Sequence, residues 1–183
     1  MSNPFEILGL APAFALDAAE LEQRQRELNR AVHPDRHAGK GAAERRHSLS
    51  RAMDINQAYR VLRDPASRAE ALFELVGIHG LAERIVTDPA LLGEMLEQRE
   101  RLDEVRRNKD RPGLRELEQN MTARQQQVEE ALGQAFAPLI ELARARDPRA
   151  TRGPELDAAQ RLFSELKYVR RFREEVAAIE DEL

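Results

Sequence analysis

His33-Pro34-Asp35 sets an imidazole and a carboxylate two positions apart around a proline. Proline bars the residue before it from the helical region, so both polar groups are expected on a loop, clear of any packed face. Two chemistries suit such a loop. One is metal binding, with His33, Asp35, His37 and His47 offering a His-x-Asp-x-His run. Pro34 interrupts that run, and no second acidic cluster or pocket-lining pattern supports an enzyme. The other is docking. Leu21, Leu28 and Val32 form the inward stripe of the preceding helix, and at about 100° per residue Arg26 and Arg30 lie about 140° to 180° away. A cationic strip then leads into the loop, a surface suited to an acidic partner whose approach it steers. The competing account of Arg26 and Arg30 is a solvated face with Glu22 and Glu27 as local partners.

A second candidate surface lies further along the chain. Leu91, Met95, Gln98, Leu102 and Val105 fall within about 40° of one line, the expected seam of a bundle. Leu92 and Leu96 stand about 100° and 140° off that line, next to Glu97, Glu100 and Glu104. They suggest a small apolar patch edged with carboxylates, which Tyr168, off the stripe of its own helix, could join. The alternative for both leucines is burial on a broad face of the bundle.

Helices must position these groups. The segments 4–8, 17–33, 42–62 and 65–77 read as four, with Asp17 and Asp64-Pro65 as start signals. The third is expected to bury Leu49, Ala52, Ile55, Tyr59 and Leu62, with Asn56 and Tyr59 fixing it against the second. Three longer helices follow, over about 89–108, 112–145 and 155–181, and Pro138 is expected to kink or split the middle one. No strand alternation appears. The expected fold is all α, with a helical-hairpin domain at 1–77, a connector at 78–88 and an antiparallel three-helix bundle at 89–183.

Composition narrows the function. The 183 residues carry a net charge of −4, with 34% charged and 4% aromatic side chains and no cysteine. Without cysteine there are neither disulfides nor thiolate metal ligands. The stretch 24–51 holds eight basic and three acidic residues, whereas 76–183 holds 18 and 22. The two halves therefore suit different partners. Nucleic acid is disfavoured, because stacking aromatics are missing and residues 1–75 balance at 11 basic and 11 acidic. No apolar run approaches the roughly 18 residues of a membrane span. Residues 1–10 lack a secretory-signal layout, so the expected address is a bacterial cytoplasm.

The segments Pro4-Phe5-Glu6-Ile7-Leu8-Gly9-Leu10, His33-Pro34-Asp35-Arg36 and Ile55-Asn56-Gln57-Ala58-Tyr59 resemble the J-domain pattern. Arg68-Ala69-Glu70-Ala71-Leu72 and the stretch from Leu91 to Glu104 resemble, more specifically, the HscB type of J-domain cochaperone. The resemblance is good over about 1–107 and returns near Leu166 to Phe172. It implies a non-enzymatic partner, without cofactor, for a DnaK- or HscA-type ATPase chaperone, engaged in its ATP state through Arg26, Arg30, His33, Pro34, Asp35 and Arg36. It also implies an IscU-like scaffold for iron–sulfur clusters as client, held by Leu92, Leu96, Glu97, Glu100, Glu104 and Tyr168. A J protein with a different client is the alternative. Arg36 departs from the family's usual lysine and keeps the charge. Gly93 stands where a larger apolar residue is common.

Overall fold

The computed structural model describes residues 3–32, 41–80 and 89–182, and every regular element among them is helical. Local devices start the helices where the sequence suggests. The Asn3 side chain accepts the Phe5 N–H at 3.0 Å ahead of α1 (Pro4–Leu8). Asp17 accepts the Ala19 N–H at 2.8 Å ahead of α2 (Ala18–Ala31). α3 (Ala42–Arg63) runs into Asp64, which caps α4 (Pro65–Leu75) by accepting the Ser67 N–H at 2.9 Å. Each such cap contributes about 1 kcal/mol. Gly9, at φ 65°, ends α1 by turning the chain left-handed, a region open to glycine without a Cβ penalty.

α5 (Pro89–Asn108), α6 (Arg111–Arg144) and α7 (Pro154–Glu182) form an up-down-up bundle. Cross-helix ion pairs run along its surface: Arg99 meets Glu175 and Arg106 meets Glu182, each at 2.8 Å, and Arg124 binds Glu165. A 3-10 turn, Pro148–Ala150, closes the α6–α7 connection and buries Ala150.

Of the two outcomes the sequence left open at Pro138, a split does not occur: α6 is continuous from Arg111 to Arg144. Pro138 and Gln134, whose carbonyl loses its helical partner, are both exposed, so water can satisfy that carbonyl. The neighbouring Phe136, Leu139 and Ile140 stay buried and hold both halves in place. In α3 a sequence expectation is corrected: Leu49 is 64% exposed, and the buried line is Ser48, Ile55, Ala58 and Leu62. Leu49 lies about 120° from Ile55 at 100° per residue, so it was never on that line.

The core is shared between the two halves of the chain. Phe5, Leu8, Leu62, Leu72 and Phe73 belong to the same cluster as Leu132, Phe136, Leu139 and Phe163. A second cluster, with Leu102, Val105, Leu117 and Phe172, fills the far end of the bundle. Polar contacts reinforce the shared core: Arg68 donates to the carbonyls of Leu62 and Phe14, and Arg170 on α7 pairs with Asp64 at 2.8 Å.

Burial alone would raise the Asp64 pKa, but hydrogen bonds from the Ser67 N–H, Arg170 and the Ser67 hydroxyl outweigh it and hold the carboxyl below its ordinary value. A depressed folded-state pKa contributes stability that is present above the unfolded value of about 3.9 and is lost as pH falls through the folded one. Denaturant melts should therefore show wild type ahead of Asp64→Asn by a constant margin above about pH 5, shrinking on acidification below about pH 4. A margin independent of pH down to acid unfolding would contradict this assignment.

Candidate partner-docking surfaces

The first surface is the outer face of α2. Asn56 on α3 accepts hydrogen bonds from Gln25 at 3.0 Å and Asn29 at 2.9 Å, fixing how α2 lies on α3. Arg26 is exposed and pairs with Glu22 at 3.3 Å, while Arg24 approaches Glu27 at 3.8 Å. Arg30 is exposed, with no ion pair among the described residues. The strip is thus cationic at its loop end, where α2 stops and Val32 caps it by donating to the Leu28 carbonyl at 3.1 Å. His33, Pro34, Asp35 and Arg36, which the sequence puts next, lie outside the described residues, as does His37.

The second surface is a groove of about 410 Å³ between α5 and α7. Leu102 and Val105 anchor α5 in the far core, but Leu91, Met95 and Gln98 are only half-buried, so the first half of the helix rides high. Leu92 and Leu96 line the groove and are 45% and 58% exposed, so neither is bundle core. Tyr168 does join them: half-buried, it closes the floor beside Phe172 and donates its hydroxyl to the Met95 carbonyl at 3.2 Å. Burial raises the phenol's pKa, with Glu175 reinforcing and Arg99 opposing that shift, so the hydroxyl stays a neutral donor.

Glu97, Glu100 and Glu104 are exposed on the outer side of α5 and do not line this groove. Glu97 instead borders a second gap of about 280 Å³ toward α6, and Glu104 pairs with Arg101 at 2.8 Å. The patch is therefore edged with carboxylates on one side only. Its other wall is Lys167 and Arg171 of α7, which the sequence reading missed. The available signal was Arg171, three positions after Tyr168 and so on the same face, with Lys167 one turn before Arg171. Gly93 does not line the groove, and an added Cβ there would meet open space.

Comparison with known proteins matches each half of this architecture. Residues 3–71 match the DnaJ domain family model, and residues 87–177 match the model described as the HSCB C-terminal oligomerisation domain. Over 184 residues the chain is 33% identical to the protein named co-chaperone protein HscB homolog from Shewanella sp. strain ANA-3, covering 99% of this chain and 98% of that one. The chain belongs to the HscB family of co-chaperones. Its structure agrees with HscB from Vibrio cholerae at a TM-score of 0.80 and 31% identity, over 98% of this chain and 99% of that one. Human HscB shares the fold at a TM-score of 0.75 and 22% identity, over 100% of this chain and 84% of that one. Family membership thus assigns the two halves of the described structure. The α1–α4 unit belongs to a J domain, and the α5–α7 bundle is the HscB-specific part that carries the groove. Among the described residues no helix is long and apolar enough to cross a membrane.

Proposed function

We propose that this HscB-family co-chaperone stimulates the ATPase of an HscA- or DnaK-type chaperone through its His33-Pro34-Asp35 loop, aided by Arg26, Arg30 and Arg36. Its groove then delivers an IscU-like cluster scaffold to that chaperone in a bacterial cytoplasm. Leu92, Leu96 and Tyr168 form the proposed client contact, with Glu97, Glu100 and Glu104 beside it. The observation that carries the reading is an exposed apolar groove on the family-specific bundle, in a chain whose J domain shares its core. Large exposed apolar side chains clustered around an aromatic floor favour a protein partner. The direct test is single-turnover ATP hydrolysis by the chaperone, with the protein alone and with scaffold added. Stimulation by the protein, increased by scaffold, is the expected result. Stimulation indifferent to scaffold would point to a J protein with a different client, and no stimulation would overturn the reading.

Asp35→Asn isolates the loop. Losing a hydrogen bond to a charged group costs about 1.5–3 kcal/mol, so stimulation should fall by roughly 10- to 150-fold. The melting temperature should not change measurably. Wild-type stimulation by Asp35→Asn would remove the loop from the mechanism.

A further inference from the structure

We propose that the groove between α5 and α7 reads charge as well as apolar shape, with Arg171, seconded by Lys167, receiving an acidic side chain of the docked segment. The inference rests on the groove being the client site and adds the polarity of its occupant. Leu92 and Leu96 form the apolar middle of the surface. Outward on α5, Glu100, Glu104 and Glu97 follow at about 60°, 100° and 120° from the midpoint of the two leucines, at 100° per residue. On the opposite wall, Lys167 and Arg171 stand one turn apart on α7 and line the groove, and Arg171 is exposed. Between them Arg99 and Glu175 bind each other at 2.8 Å and cancel. Glu104 is likewise paired with Arg101 at 2.8 Å and the Lys167 ammonium lies over the Phe163 ring at 5.5 Å, so the band runs from Glu100 and Glu97 through the leucines to Arg171.

Such a band selects the direction of its occupant. A scaffold segment with an apolar anchor between a basic and an acidic residue fits with the basic side over α5 and the acidic side over α7. Reversed, it places like charges together, which is how charge patterns reject a wrong register. Among the described residues Glu175 is the one anion lining the groove, so it works against the acidic contact.

The experiment titrates the full-length protein with purified IscU-type scaffold at about 50 mM and about 300 mM salt, conditions that differ in electrostatic screening. Arg171→Glu should weaken binding roughly three- to thirtyfold at low salt, with a smaller gap at high salt. The milder Arg171→Gln should fall between it and wild type. Glu175→Gln should tighten binding about two- to fivefold, a gain that damage to the groove cannot produce. Affinity for Arg171→Glu within about twofold of wild type at both salts, or weaker binding by Glu175→Gln, would overturn the proposal. Running Leu92→Ala/Leu96→Ala alongside separates the two levels. Its loss of binding with an indifferent Arg171→Glu leaves the client groove standing and removes its charge polarity. Normal binding by the leucine variant removes both.

Discussion

Replacing Leu92 and Leu96 together by alanine should abolish scaffold binding at micromolar concentrations while leaving the fold intact. Both side chains are large, apolar and about half exposed, and they flank the aromatic floor made by Tyr168 and Phe172. Truncating two anchors at the centre of an interface costs about 2–4 kcal/mol, or roughly 30- to 1000-fold in affinity. In the free protein the same truncation removes little buried surface, and alanine is a better helix former than leucine, so stability should stay within about 0.5 kcal/mol of wild type. Stimulation of the chaperone by the J domain alone should persist, and the increment added by scaffold should disappear. Melting temperature and scaffold affinity measured on one preparation decide the matter. A variant that melts as wild type and still binds scaffold normally would refute the groove as client site.

Phe136→Ala should destabilise both halves of the chain at once. Phe136 is fully buried on α6, stacks on Phe14 of the J domain at 5.9 Å and meets Phe73 of α4 edge-on at 4.8 Å. Phe73 in turn contacts Phe163 of α7 at 5.5 Å. A buried Phe→Ala change costs about 3–5 kcal/mol, a large part of the 5–15 kcal/mol that stabilises a typical domain. At about 2–4 °C per kcal/mol for a chain of this size, the melting temperature should drop by roughly 6–20 °C. Because the removed ring belongs to both units, the loss should appear equally in native-state amide exchange from α4 and from α7. If α4 kept its protection while α7 lost it, the two units would be folding independently. A shared core also has a functional consequence, since it fixes the groove and the α2 strip in one orientation.

The helices were legible in the sequence because their signals are local. Asp17 and Asp64-Pro65 cap within three residues of themselves, and stripes such as Leu117, Met121, Val128 and Leu132 repeat at the helical period regardless of what covers them. The His-Pro-Asp tripeptide and the leucine pair at 92 and 96 were equally readable, as they depend on residue type and spacing alone. Where a local rule failed, the deciding term was long-range. Proline at 138 is a breaker by propensity, but a helix flanked by buried Phe136, Leu139 and Ile140 tolerates it where Gln134 and Pro138 lie on the exposed face. At the α5–α6 turn the deciding term was local instead: Lys109 at φ 52°, a conformation costing a non-glycine residue about 1–2 kcal/mol, ends α5 with its N–H on the Arg106 carbonyl at 3.2 Å and the Asp110 N–H on the Val105 carbonyl at 3.0 Å.

Two features needed the tertiary structure outright. One is the joining of J domain and bundle through Phe14, Phe73, Phe136 and Phe163, four rings that lie far apart in sequence and meet only when α4 lands on α6 and α7. The other is the far wall of the groove. Periodicity along α5 says which residues leave its seam, but which neighbour stands opposite depends on the register between helices. That register follows from the packing of buried Leu102 and Val105 against Val169, Phe172 and Val176, with Arg99–Glu175 and Arg106–Glu182 in step with it, and it brings Lys167 and Arg171 beside leucines about seventy positions earlier in the chain. A periodic stripe encodes a direction around one axis, whereas a binding groove is a relation between two axes, and only packing energy chooses how far one slides along the other.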